Sequence, residues 1–180
     1  MTPTVLAPRL GGEPSEWKGA SILSVSQFTE EALSLLVTLT EAAMRREKGL
    51  TRCLEGRVLS CLFAEPSTRT CCSFQAAILR LGGSAIVSRE EFSSTVKGES
   101  LEDTVRTLAC YSDVVVLRHK SPGAALRAAS ASVVPVINGG DGVGEHPTQA
   151  LLDFYTLLTE LHDDDDDDGA TQSPRDILKG

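Results

Sequence analysis

Aromatic residues are scarce in this chain of 180, at 4% with a single tryptophan, so its core must be built mainly from aliphatic side chains. No apolar run approaches the ~18 residues of a membrane span. The opening residues, MTPTVLAPRLGGEPSEW, lack the basic region and long apolar stretch of a secretory signal. The five cysteines (Cys53, Cys61, Cys71, Cys72 and Cys110) form no C-x-x-C pair and are odd in number. They read as reduced, mostly buried thiols and not as a disulfide framework or a zinc site. A soluble protein of a reducing compartment is expected, most simply a cytoplasmic one. Basic excess is lacking too. The formal net charge is −8, but one run, Asp163 to Asp168, carries six of the acidic residues, and the remainder is close to balance. That disfavours nucleic acid as the main partner. The run itself reads as a solvated loop, with a metal or basic-partner site as the alternative.

Two nucleotide signatures are also absent. There is no G-x-x-x-x-G-K-[ST], and GGDGVGE (Gly139 to Glu145) fails the G-x-G-x-x-G register because Glu145 stands at the last glycine position. NAD and ATP are therefore disfavoured.

What is present is an alternation. Residues 1–20 hold Pro3, Pro8, Gly11, Gly12 and Pro14 and read as a loose arm or linker. From Thr29 to Lys48, Ala32, Leu35, Leu36, Leu39, Ala43 and Met44 recur at helical steps, with Thr29 placed to cap the helix. RVLSCLFA (Arg57 to Ala64) reads as a buried strand, and the segment after it reads as a helix ended by Gly82 and Gly83. SAIVS, DVVVLR and VVPVIN supply three more strands. SLEDTVRTLACY and GAALRAASAS supply helices between them, and HPTQALLDFYTLLTEL supplies one after the last, with Pro147 in its first turn. The pattern predicts an α/β fold, a three-layer αβα domain around a four-stranded parallel sheet, over residues 21–162. Right-handed crossovers put the carboxyl ends of the strands on one edge, where such sheets hold ligands.

The polar clusters fall on that edge. FAEPSTRT crowds Ser67, Thr68, Arg69 and Thr70 where strand hands over to helix, so hydroxyls, a guanidinium and free backbone N–H groups converge. Ser67 could be a helix cap and nothing more; four such residues in a row favour an anion site. Arg118 ends the third strand, which on its own fits a surface residue as well. His146 and Gln149 flank the start of the last helix, whose dipole disfavours imidazolium, so a neutral His146 could donate an N–H to a carbonyl; a simple cap is the alternative. Ser93 and Lys97 lie in FSSTVKGES, by itself an ordinary exposed loop.

In this order and spacing, FAEPSTRTCCSFQAAILRLGGS, SSTVKGESLEDTV, VVVLRH and NGGDGVGEHPTQALLDFYTL resemble the aspartate carbamoyltransferase family. The resemblance covers about residues 20–160, its amino-terminal, carbamoyl-phosphate-binding half. The wording is most similar to the version fused into the multifunctional pyrimidine-synthesis protein of animals. S-T-R-T is shared with the ornithine enzymes, but H-P-T-Q and the KGES loop are of the aspartate type.

The resemblance implies transfer of a carbamoyl group from carbamoyl phosphate to the amine of L-aspartate, giving N-carbamoyl-L-aspartate and phosphate. Ser67, Thr68, Arg69 and Thr70 would hold the phosphate. Thr68, Arg118 and His146 would reach the carbamoyl oxygen, and Gln149 would bind the carbamoyl amino group. Ser93 and Lys97 would enter the site of a neighbouring subunit in a homotrimer. No metal and no cofactor is implied. RDILKG resembles the lead-in to the family's aspartate-binding domain, so residues 163–180 are expected to form an acidic interdomain linker and the chain to be inactive alone. Gly139 departs from the family, which usually has Ala there. A noncatalytic scaffolding or binding domain keeping the same fold, or an ornithine-type half, is the alternative.

Overall fold

The computed structural model describes residues 8–89 and 98–163. Four strands form one parallel sheet: β1 (Val58–Phe63), β2 (Ser84–Arg89), β3 (Val114–His119) and β4 (Val136–Asp141), in the order β2-β1-β3-β4. The helices are α1 (Pro14–Trp17), α2 (Glu30–Met44), α3 (Thr68–Arg80), α4 (Leu101–Ala109), α5 (Ala124–Ala131) and α6 (Pro147–Asp163). The expected four-stranded, three-layer α/β architecture is present.

The sheet is covered on both faces at β1 and β3, whose runs of apolar residues are buried, whereas Ile86 and Val87 of β2 are exposed. Leu62, Val115, Leu117 and Val136 meet Val105 and Leu108 of α4 and Ala124 and Ala128 of α5. On the opposite face Leu59, Cys61, Phe63 and Val116 meet Cys71 and Ile78 of α3. Burial pushes the Cys61 thiol up to about 12, so it stays protonated and behaves as a small apolar group. All five cysteines are free thiols, but against the expectation that most are buried only Cys61 and Cys71 are; Cys53, Cys72 and Cys110 lie in turns or on outward helix positions and are exposed.

Local chemistry sets the helix ends. Thr29 Oγ1 accepts from the Ala32 N–H at 3.3 Å and caps α2. That helix stops at Met44, four residues before the spacing predicts, and Arg46 follows with φ 51°. At the end of α3, Gly82 N–H donates to Leu79 O at 3.1 Å and Gly83 N–H to Ile78 O at 2.9 Å. This pairing needs the left-handed residue that Gly82 supplies at φ +89°.

Composition suggests a loose arm over residues 1–20; of its described part, residues 8–20, most are exposed, but Leu10 and Trp17 are anchored on the domain. Leu10 is fully buried, receives the Thr29 N–H and donates its own to Gln27 O. Trp17 lies 5.7 Å from Phe28, centroid to centroid. One apolar side chain and two backbone bonds outweigh a Pro- and Gly-rich composition there. Just beyond, Ile22 donates to Val136 O at 2.9 Å and accepts from Asn138 N at 2.8 Å, covering the outer edge of β4.

The β3–β4 register breaks at the ligand edge. Leu117 faces Asn138 and His119 faces Asp141, so two residues, Gly139 and Gly140, stand opposite Arg118 alone. Bulges of this kind kink the strand that carries the extra residue; here the kinked glycines of β4 lie against the Arg118 guanidinium.

Candidate active site

Chain reversal from β1 into α3 exposes the helix start. Ser67 occupies the cap position with φ −156° and ψ 89°, yet its hydroxyl makes no capping bond. The first intrahelical bond runs from Cys71 N to Ser67 O, which leaves the N–H groups of Thr68, Arg69 and Thr70 without a partner among the described residues. No acidic residue sits in that first turn to offset its positive end. Arg69 is exposed and forms no ion pair with any described residue. Two half-buried hydroxyls, an unpaired cation and three free amides thus surround one spot, as an oxyanion requires.

Arg118 approaches from the neighbouring strand. Its Nη1 donates to Gly139 O at 3.0 Å. Its Nε lies 2.7 Å from Oε1 of Glu65, an ion contact whose N–H is not aligned for a hydrogen bond. The guanidinium rests on Gly140, where a Cβ would come within 2.6 Å of Nη1 and 3.4 Å of His146 Cδ2. Gly140 has φ +115°, so both the backbone and the close approach require glycine.

His146 precedes Pro147 at the start of α6. Its Nδ1 lies 3.3 Å from the Gln149 N–H, which it accepts, and 3.2 Å from Thr148 Oγ1. An accepting Nδ1 leaves the proton on Nε2. Burial, and then the Arg118 cation, hold the imidazole below its ordinary 6.5, against the opposing pull of a backbone hydrogen bond and Asp153. The ring is therefore neutral at pH 7 and offers Nε2–H as a donor. Gln149 Nε2 donates to Asp153 Oδ1 at 2.9 Å. A carboxylate can only accept, so the amide orientation is determined and Oε1 remains an acceptor.

Ser67, Arg69, Thr70, Arg118, His146 and Gln149 line one cavity of about 850 Å³ between α2, α3 and α6. Leu36, Val37, Phe74 and Leu151 give the cavity apolar wall as well. Thr68 is exposed at the first position of α3 and does not line it. Ser93, Lys97 and Asp164 to Asp168 lie outside the described residues. Among the described residues no group of His, Cys, Asp or Glu could hold a metal ion, and no helix is long and apolar enough to cross a membrane. Sequence reasoning missed Glu65, although an acidic residue two positions before S-T-R-T was a usable signal. It also missed Asn138, a polar residue inside an apolar strand.

Fold and site together define a parallel α/β domain with Arg118, His146 and Gln149 gathered beside the amino end of α3 at the carboxyl edge of the sheet. Comparison with known proteins makes the family specific. Residues 20–159 match the carbamoyl-P binding domain of aspartate/ornithine carbamoyltransferase, and the chain belongs to that family. It is 53% identical over 150 residues to the multifunctional protein pyrABCN of Emericella nidulans, covering 82% of this chain and 6% of that one. To the multifunctional protein CAD of Squalus acanthias it is 52% identical, covering 79% and 6%. Aspartate transcarbamoylase of Trypanosoma cruzi, solved with carbamoyl phosphate and aspartate, superposes with a TM-score of 0.76 at 46% identity, covering 79% of this chain and 48% of that one. The chain thus spans less than half the length of these relatives.

Proposed function

We propose that this chain is the carbamoyl-phosphate-binding half of an aspartate carbamoyltransferase of pyrimidine synthesis. The observation that carries the reading is the convergence of Arg118, from the end of β3, and His146, from the start of α6, on the unpaired amino end of α3 within one cavity.

The phosphate of carbamoyl phosphate sits on the amides and hydroxyls of Ser67 to Thr70, paired with Arg69. The carbamoyl oxygen points at Arg118 and at Nε2–H of His146, with Thr68 adding a donor from the rim. Gln149 Oε1 accepts from the carbamoyl NH2. The amine of aspartate attacks the carbamoyl carbon and negative charge grows on that oxygen. The C–O bond to phosphate then breaks, the electron pair leaves with phosphate, and the departing phosphate takes up the proton that the amine loses. Fixed donors around the oxygen stabilise this charge without reorganising, and one such donor is worth about a hundredfold or more in rate. Imidazole stays neutral throughout and acts as a donor, not a base. Holding both substrates together supplies further acceleration.

Aspartate itself is delivered by a second domain, and the working unit is a cytoplasmic homotrimer in which Ser93 and Lys97 reach a neighbouring site. The test is to extend the chain with an aspartate-binding domain and assay the product. N-carbamoyl-L-aspartate should form with aspartate and no citrulline with ornithine, while the chain alone should stay inactive. An extended, folded chain that forms no carbamoyl aspartate overturns the reading.

A further inference from the structure

One buried side chain touches the supports of both carbonyl donors. Asn138 is 1% exposed and lies in β4 beside the bulge opposite Arg118. Its Oδ1 accepts from Gly140 N at 2.9 Å. That N–H belongs to the same rigid peptide plane as Gly139 O, the acceptor for Arg118 Nη1. Its Nδ2 donates at 3.1 Å to Glu145 O, the carbonyl of the peptide leading into His146, and at 3.1 Å to Leu23 O. Two carbonyls on one side and an N–H on the other leave no choice of amide orientation.

Further bonds hold the same loop. Glu145 N donates to Asp141 Oδ1 at 2.8 Å, and the Glu145 carboxylate accepts from Ser24 Oγ at 2.8 Å and Val25 N at 2.7 Å. Pulling on either end of the Asn138 amide therefore moves one donor relative to the other.

We propose that Asn138 is a positioning residue that fixes Arg118 and His146 against each other, so that both aim at a single carbonyl oxygen. The role rests on the carbamoyl reading above. A merely structural Asn138, satisfying the edge of β4, would affect stability and would leave ligand discrimination alone. The phosphate cradle, Ser67 to Thr70, lies on a different loop and shares no hydrogen bond with Asn138 among the described residues.

Two ligands separate the possibilities: inorganic phosphate, which reads only the cradle, and phosphonoacetamide, whose amide also reads the carbonyl donors. The chain is titrated with each by two-dimensional NMR, as wild type, Asn138→Asp and Asn138→Leu. Wild type should prefer phosphonoacetamide at least tenfold. Asn138→Leu, which removes both arms, should abolish that preference while phosphate affinity stays within twofold. Asn138→Asp keeps the acceptor for Gly140 N–H but sets a carboxylate against the Glu145 carbonyl, and should lose part of the preference.

A preference retained within twofold in Asn138→Leu, or both affinities falling in parallel, overturns the proposal. If the leucine variant does not fold, a full preference in Asn138→Asp does the same. Without any ligand, the His146 Nε2–H and Arg118 Nε–H resonances should both shift in either folded variant, and unchanged resonances overturn the proposal. Wild type lacking the preference while these resonances do shift would sink the carbamoyl reading and leave the coupling intact.

Discussion

Arg118 Nε lies 2.7 Å from Oε1 of Glu65, both side chains about three-quarters buried at 24% and 26% exposure. Glu65 comes from the same turn as Ser67 to Thr70, so a carboxylate offsets part of the positive charge that an incoming anion would meet there. Glu65→Gln should remove that offset and raise inorganic phosphate affinity about threefold at low salt, in keeping with the modest worth of partly exposed charge pairs. An NMR titration at two ionic strengths checks this; reduced affinity would mean that the pair builds the cradle.

Arg69 has no carboxylate partner among the described residues, so its full charge is available to a ligand. Replacing it with alanine should weaken phosphate binding by at least tenfold, since one charge-assisted hydrogen bond contributes about 1.5–3 kcal/mol. Calorimetry or NMR titration reads the loss. Unchanged affinity would remove Arg69 from the site.

His146 should titrate with a midpoint below 6.5, chiefly through burial and secondarily through Arg118. Because the native ring takes up a proton less readily than the unfolded one, this group withdraws stability as pH falls from about 6.5 towards the folded midpoint, and contributes no slope above that range. In Arg118→Ala the midpoint should rise but stay below 6.5, because burial persists. Ring NMR across pH 4–8 (about the range any histidine needs) measures both. A wild-type midpoint at or above 6.5 would contradict the neutral-donor role.

Neighbouring glycines should respond differently. Gly140→Ala forces a Cβ to 2.6 Å from Arg118 Nη1 at φ +115°, and should destabilise the chain by about 1–3 kcal/mol while displacing the guanidinium. Gly139→Ala places its Cβ 3.2 Å from Val116 Cγ1 and 3.3 Å from Leu117 O, a tight fit that small shifts relieve, and should cost under about 1 kcal/mol. Thermal unfolding followed by Trp17 emission distinguishes the two; equal losses would refute the assignment of Gly140 as the support of Arg118.

Much of the fold was legible because its signals are local. Val114 to Leu117 and Cys61 to Phe63 announce buried strands by consecutive apolar residues, and Gly82 and Pro147 punctuate their helices as their backbone chemistry dictates. Leu10 was illegible for the opposite reason. Its partners, Gln27 and Thr29, are nearly twenty residues away, and nothing in a Pro- and Gly-rich stretch signals such a contact. Glu65 and Asn138 were missed because their roles depend on which backbone lies opposite them.

By itself the sequence determined the strand and helix alternation and the chemistry of Ser67 to Thr70, since helix-end amides and hydroxyl composition depend on neighbours only a few residues apart. Tertiary structure decided the rest. The strand order β2-β1-β3-β4 sets the ends of β1, β3 and β4 side by side, which brings Arg118, His146 and Gln149 to the cradle. The bulge sets Gly139 O and Gly140 against the Arg118 guanidinium, and the Asn138 amide ties that bulge to the His146 loop. Register and side-chain direction arise from pairing between distant segments, so they exist only once the sheet has formed.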